Sequence, residues 1–169
     1  MTSKKTVSIV LLLLTFAATT LFAGDDLTRP RQKQFVTVDP VPTVTLIAGK
    51  PGKVEIRFRV NSGYHINSNK PHSELLIPTT IQFTPAEKIN VGKVSYPAGE
   101  EFALAFAPTE KLDVYTGDVL LSAPVTAAKG IAPGTYTLKA ELRYQACNDN
   151  SCFPPKTVPV EVAVNVKNP

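Results

Sequence analysis

Tryptophan is absent from this sequence, and other residues that build common binding sites are scarce. The 169 residues include two cysteines, two histidines, one methionine and five tyrosines. A carbohydrate-binding surface, which stacks sugars on aromatic rings, is therefore disfavoured. No stretch is rich in lysine or arginine, so the electrostatic footprint of a nucleic-acid-binding protein is missing as well.

Long apolar runs are also missing, except at the N-terminus. Two lysines precede an apolar stretch over residues 7–18, and a small residue, Ala23, ends the segment. This layout is typical of a secretory signal peptide. We therefore expect cleavage after residue 23, a single exported domain over residues 24–169, and no membrane span in the mature chain.

An uncleaved N-terminal anchor is the alternative, although the 17 residues from position 7 to position 23 are short for a membrane span. Cleavage would remove two lysines and no acidic residue, which lowers the net charge from +4 to +2. We expect a periplasmic location in a bacterium, and an oxidising compartment of that kind allows two cysteines to pair.

Proline is abundant, with 15 residues spread along the chain, and this excludes long helices because proline breaks them. The segments between prolines alternate apolar and polar residues, as half-buried strands do. We expect about seven to nine short antiparallel strands in an all-β sandwich. The clearest inward faces comprise Val54, Ile56, Phe58 and Val60; Tyr136, Leu138, Ala140, Leu142 and Tyr144; and Val158, Val160, Val162, Val164 and Val166.

The two cysteines enclose a four-residue run of turn formers in the segment YQACNDNSCFPP, residues 144–155. We expect Cys147 and Cys152 to form a disulfide near the tip of a hairpin, where opposed Cα atoms are ~4.5–5.5 Å apart. Closing so short a loop stabilises the fold by only about 2 kcal/mol. A structural and a redox-active disulfide both remain open on this argument. The apolar Phe153 and the rigid pair of prolines after it favour a docking surface.

Metal binding is disfavoured because His65 and His72 have no usual zinc spacing and lie far from the cysteines in sequence. The adjacent carboxylates Glu100 and Glu101 point to opposite faces if they lie on a strand, so we interpret them as solvated residues. Asp149, inside the cysteine loop, is interpreted as a turn former. We expect no metal and no other cofactor.

The cysteine segment closely resembles that of the N-terminal periplasmic domain of DsbD, the thiol:disulfide interchange protein. The similarity extends over about residues 36–166. Further matching stretches are SGYHIN with NKP (residues 62–67 and 69–71), LLIPT (75–79), YPAGE (96–100) and LDVYTGDV (112–119).

This resemblance implies an immunoglobulin-like β-sandwich whose cysteine pair relays electrons from a thioredoxin-like donor to periplasmic oxidoreductases. By analogy, Cys152 would carry the mixed disulfide and Cys147 would resolve it. The family's cap loop would fall between residues 101 and 114, with Phe102, Phe106 and Pro108 as candidate lid residues. Additional docking candidates near the cysteines are Tyr64, His65, Tyr115 and Phe153.

Two departures from the family pattern matter. Acidic residues expected near the lid tip have no match around Phe106 and Pro108, which puts acid-assisted proton handling in doubt. Family members also continue into membrane helices and a thioredoxin domain, whereas this sequence ends at Pro169, so we expect a separate electron donor. The alternative function is a protein-binding module with a structural disulfide, and whether exchange amounts to protein-disulfide reductase activity stays open.

Overall fold

The computed structural model describes residues 33–104 and 107–169, without the side chains of residues 104 and 107–110. The expected signal peptide and the candidate lid residue Phe106 lie outside the described residues, as does the side chain of Pro108. Among the residues described, no helix is long and apolar enough to cross a membrane.

Twelve strands make up the regular structure of the described chain. They are β1 (Val36–Val38), β2 (Val44–Ile47), β3 (Pro51–Val60), β4 (His65–Asn67), β5 (Thr80–Phe83), β6 (Ile89–Val91), β7 (Glu100–Leu104), β8 (Ala107–Tyr115), β9 (Asp118–Ala127), β10 (Gly134–Tyr144), β11 (Ala146–Cys147) and β12 (Lys156–Lys167). The all-β class and the sandwich are confirmed. The expected strand count was too low, because several strands have only two to four residues and leave little periodic signal.

The strands form three four-stranded sheets. The first sheet has the order β1-β3-β9-β6, the second β2-β12-β10-β5, and the third, which we call the end sheet, β11-β4-β8-β7. All pairs are antiparallel except β2 with β12, which is parallel. The expectation of purely antiparallel strands was therefore wrong at this pair, because the turn after β2 sends the chain from the second sheet into the first.

The alternation predicted from sequence is present on the long strands. On β3, Val54, Ile56 and Phe58 are buried while the residues between them are exposed. The same pattern holds on β10 and β12. Side chains from the first and second sheets belong to one hydrophobic cluster, and each buried side chain of this size contributes about 1.5–3 kcal/mol relative to exposure. Apolar burial between these sheets therefore holds the sandwich together.

The end sheet continues from one end of the sandwich. The chain passes into or out of it through residues 61–64 between β3 and β4, residues 116–117 between β8 and β9, and residue 145 between β10 and β11. Such short links place the end sheet directly beside the ends of β3, β9 and β10. Both cysteines lie at this end of the molecule, because β11 contains Cys147.

Candidate redox site at the cysteine loop

The cysteines lie in the loop that joins β10 to β12. The ladder between these strands ends with Tyr144 opposite Lys156, and Cys147 and Cys152 are joined by a disulfide beyond it. Their Cα atoms are 3.9 Å apart, closer than we expected for opposed strand residues. The two cysteines meet as an isolated bridge across a four-residue turn rather than inside a regular ladder.

Backbone and side-chain hydrogen bonds hold this turn independently of the sulfur atoms. The Asn148 N–H donates to the Ser151 carbonyl at 2.9 Å. The Asn148 side-chain oxygen accepts from the N–H groups of Asn150 at 3.0 Å and Ser151 at 2.9 Å. The Phe153 N–H donates to the Ala146 carbonyl at 2.8 Å. These bonds define an Asx-type turn, so the loop has a conformation of its own.

The two sulfur-bearing residues differ sharply in exposure. Cys147 is 0% exposed and lies on β11, which pairs with β4 at one edge of the end sheet. Cys152 is exposed, as are the three residues before it. Cys152 is therefore the more accessible of the two cysteines to an incoming thiolate.

Gln145 connects the cysteine loop to two other segments. Its side-chain nitrogen donates to the Phe153 carbonyl at 3.2 Å. Its side-chain oxygen accepts from the Asn67 side chain at 3.2 Å and from the Ile77 N–H at 3.3 Å. Gln145 thus fixes the position of Phe153 relative to β4 and to the segment that follows β4.

A buried histidine lies directly opposite the buried cysteine. His65 on β4 is the strand partner of Cys147 on β11, and it is 2% exposed. Its ring lies 4.3 Å from the ring of Phe102 on β7, and its Nε2 atom is buried without a hydrogen-bond partner. Burial lowers the pKa of His65, and the charge of Asp149 in the cysteine loop opposes this shift in part.

Three aromatic rings pack together beside the exposed cysteine. Phe153 lies 4.6 Å from Phe35 and 5.9 Å from Tyr64, and Phe35 lies 4.9 Å from Tyr64. Lys33 approaches the ring of Tyr64 at 4.9 Å, and Lys156 approaches that of Phe35 at 5.1 Å. Phe35 is buried, whereas Tyr64 and Phe153 are partly exposed, so this aromatic cluster forms a fixed apolar rim with positive charges next to it.

The segment expected to be a cap loop is largely a β-hairpin. Strands β7 and β8 pair from Glu100 opposite Val114 onward, and the register shifts between Ala103 and Leu104. The backbone of Pro108 lies within β8. Of the three candidate lid residues, Phe102 is the one whose side chain is described, and it contacts His65.

Tyr115 is not part of the surface around Cys152. It is 3% exposed, and its hydroxyl donates to the Asn69 side chain at 2.7 Å. Burial raises the pKa of this hydroxyl. The remaining predicted residues do lie around the cysteine loop: Tyr64 packs against Phe153, the residue after Cys152, and His65 is opposite Cys147.

Sequence reasoning missed three residues of the site. Phe35, Asn67 and Gln145 belong to it through ring packing or hydrogen bonds. Two of the three had a signal, since Gln145 lies two residues before Cys147 and Asn67 ends the matching stretch SGYHIN. Phe35, just before β1, lies in no matching stretch and is brought to the site by the pairing of β1 with β3.

The adjacent carboxylates Glu100 and Glu101 each have a separate partner. Glu101 forms an exposed ion pair with Lys111 at 2.7 Å, and Glu100 accepts from the Thr116 hydroxyl at 3.0 Å. In residues 33–104 and 107–169, no group of three or more His, Cys, Asp or Glu side chains converges as it would around a metal ion.

Residues 32–163 match a protein family described as the N-terminal domain of the thiol:disulfide interchange protein DsbD. The chain belongs to this family. The family is one of thiol–disulfide exchange domains, and the two cysteines of this chain form a disulfide. Comparison with curated protein sequences gives no significant match.

Several solved structures are similar in outline. AggA, the major subunit of aggregative adherence fimbriae type I from Escherichia coli, is 13% identical with a TM-score of 0.41, over 78% of this chain and 93% of that one. A family 123 glycoside hydrolase from Clostridium perfringens is 11% identical with a TM-score of 0.40, over 80% and 28%. The CooA pilin subunit from enterotoxigenic Escherichia coli is 8% identical with a TM-score of 0.26, over 79% and 99%. None of these similarities bears on function.

Proposed function

We propose that this domain is a periplasmic electron relay that accepts electrons from a thioredoxin-like donor and passes them to other oxidoreductases through Cys147 and Cys152. The observation that carries this proposal is the unequal exposure of the two cysteines in one disulfide, with Cys147 buried and Cys152 exposed. Exchange requires one accessible sulfur for the partner and one protected sulfur that closes the ring again.

In the reducing half of the cycle, a donor thiolate attacks the Sγ atom of Cys152. The Cys147–Cys152 bond breaks, a mixed disulfide forms between the donor and Cys152, and Cys147 leaves as a thiolate. The donor's second thiol then resolves the mixed disulfide, so that two electrons have moved to the domain. No cofactor is needed for these steps.

In the oxidising half, the thiolate of Cys152 attacks the disulfide of an acceptor. Cys147 then attacks Cys152, which releases the acceptor in its reduced form and restores the intramolecular bond. The partly exposed rings of Tyr64 and Phe153 would provide the apolar surface on which the partner rests, and the neighbouring lysines Lys33 and Lys156 would favour a partner with acidic residues around its active site.

Hydrogen bonding in the turn argues against a purely structural disulfide. The loop between the cysteines is held by the Asn148 bonds and by the bond from Phe153 to Ala146. The cross-link itself adds only about 2 kcal/mol in the chain-entropy model. Opening the bond therefore leaves a loop that can keep its shape and close again.

Trapping of partners tests the relay. We expect Cys147→Ser, expressed with its export signal in the periplasm, to accumulate mixed disulfides through Cys152 that are visible on non-reducing gels. Cys152→Ser is the matched control, and it should trap far less because Cys147 is buried.

The reduction potential supplies the second measurement. A redox-active disulfide should be more oxidising than about −300 mV, whereas a structural one lies below that value. If Cys147→Ser captures no protein and the wild-type bond resists a thioredoxin-like reductant, the domain is a binding module with a structural disulfide.

A further inference from the structure

The buried imidazole of His65 lies opposite Cys147, and its role in the exchange reaction is inferred here on the basis of the function proposed above. We propose that His65 is the general base that removes the proton from Cys147 when Cys147 attacks the mixed disulfide on Cys152. His65 would accept the proton in a domain that has no acidic residue at positions 106–108 to do so.

Strand pairing places the two side chains together. His65 and Cys147 are directly opposed in the antiparallel pair of β4 and β11. Side chains of directly opposed residues emerge on the same face with Cβ atoms about 4.5–5.5 Å apart. Both residues are almost fully buried, at 2% and 0% exposure. An imidazole ring and a cysteine sulfur therefore share one enclosed environment.

The Nε2 atom of His65 is an unused hydrogen-bonding group in the oxidised protein. It is buried and has no partner, which is uncommon for a polar atom inside a protein. Reduction of the disulfide creates one new buried donor beside this ring, the S–H group of Cys147. The ring of Phe102 on β7 packs against the imidazole with 4.3 Å between ring centroids, so the imidazole is in place before the thiol forms.

The surroundings keep the imidazole able to accept a proton. Burial lowers the pKa of His65, so the ring is neutral at neutral pH and one of its nitrogens has a free lone pair. Asp149 is the charged group that acts on it, and it favours the imidazolium once a proton arrives. A thiol in apolar surroundings stays protonated and is then a poor nucleophile, so Cys147 needs a base.

In the oxidising half-cycle, the Cys147 thiol gives its proton to a ring nitrogen of His65, and the resulting thiolate attacks the Sγ atom of Cys152. The bond between the two cysteines forms, and the bond from Cys152 to the partner sulfur breaks with its electron pair. The partner leaves as a thiolate, which is protonated by solvent, and the imidazolium returns its proton to solvent. The domain loses two electrons and the partner gains them.

A small chromogenic disulfide, dithiobis-nitrobenzoate, isolates this step without any partner protein. One equivalent reacts with the reduced domain in two phases: Cys152 releases the first coloured thiolate, and the attack of Cys147 releases the second. At neutral pH we expect His65→Phe to slow the second phase by about a hundredfold, the usual scale of general-base catalysis, and to leave the first phase unchanged. His72→Phe removes the chain's other histidine, which is exposed, and should change neither phase.

The pH profile separates a base from a merely structural residue. Hydroxide removes the thiol proton increasingly well as the pH rises, so the second-phase deficit of His65→Phe relative to wild type should shrink between neutral pH and about pH 10. His65→Gln, which keeps a hydrogen-bonding side chain but cannot take the proton, should behave like His65→Phe.

Equal second-phase rates at neutral pH would overturn the proposal, as would a deficit in His65→Phe that is as large at high pH as at neutral pH. Either result would leave the relay function standing, because the assay contains no partner. Failure to trap a periplasmic partner with Cys147→Ser would instead remove the relay and leave the measured step of proton transfer unaffected.

Discussion

Two regions of the molecule differ in the side chains that they bury: the first and second sheets, which we call the body, and the end sheet with the cysteine loop, which we call the cysteine end. Between the first and second sheets, the buried residues of β3, β9, β10 and β12 are apolar apart from Tyr144 at the very end of β10. Within the described chain, the buried polar residues His65, Asn67, Ser68 and Thr79 all lie on β4 or in the segment after it.

Unpartnered polar atoms follow the same division. The buried side-chain atoms without a hydrogen-bond partner in the described residues are His65 Nε2, Asn67 Oδ1, Asp113 Oδ1 and Tyr144 Oη. The first three lie on strands of the end sheet and the fourth lies next to it. Each such atom opposes folding by about 1–3 kcal/mol. Apolar burial in the body therefore stabilises the fold, whereas the buried, unpartnered polar atoms at the cysteine end oppose folding.

The largest expected effect is a loss of stability when a core residue of the body is truncated. Phe58 is fully buried on β3, so Phe58→Ala should lower the free energy of unfolding by about 4 kcal/mol through lost burial and a residual cavity. Chemical denaturation measures this loss. Ile47→Ala on β2 is the control, since Ile47 is 39% exposed, and it should change stability by about 0.5 kcal/mol or less. A comparable loss in both variants would contradict the assignment of the core.

A smaller effect is expected when the hydrogen bonds of Gln145, which connect the cysteine loop to the segment after β4, are removed. Gln145→Met keeps the size of the side chain but leaves the Phe153 carbonyl and the Ile77 N–H without their partner. We expect a loss of about 2 kcal/mol in the free energy of unfolding and faster reduction of the disulfide by dithiothreitol, because the residue after Cys152 is no longer held.

Gln82→Met is the matched control for that change. Gln82 lies on β5 with its side chain exposed, so neither stability nor reduction rate should move. If Gln145→Met loses stability but its disulfide is reduced at the wild-type rate, Gln145 supports the fold without positioning the cysteines.

The smallest expected effect concerns the pH dependence of stability. Because burial lowers the pKa of His65 in the folded protein, the unfolded chain binds more protons near pH 6.5. Stability should therefore rise with pH through this window and be lost as pH falls below the unfolded pKa.

His65→Phe should remove this dependence and, at neutral pH, stabilise the oxidised protein by about 1 kcal/mol, since it replaces an unpartnered buried nitrogen with an apolar ring. Denaturation curves at several pH values, with His72→Phe for comparison, measure both effects. A pH dependence unchanged in His65→Phe would show that this histidine is not the group responsible.

Sequence patterns were most informative where the structure is regular. Alternation on the segments that became β3, β10 and β12 predicted which side chains face the core, because a strand with one wet face has a period of two. Short strands such as β4 and β11 escaped prediction, since two or three residues cannot display a period. The parallel pairing of β2 with β12 was missed for a different reason: it joins residues more than a hundred positions apart.

By itself, then, the sequence determined the all-β class, the inward faces of the long strands, the pairing of the two cysteines and the family to which the chain belongs. These features depend on local periodicity, on a cysteine count that leaves one partner each, and on a specific motif. Only the tertiary structure decided that Cys147 is buried while Cys152 is exposed, and that His65 stands opposite Cys147. Both depend on β11 pairing with β4, a contact between segments some 80 residues apart, and long-range pairing is set by how the whole chain packs rather than by the residues near either cysteine.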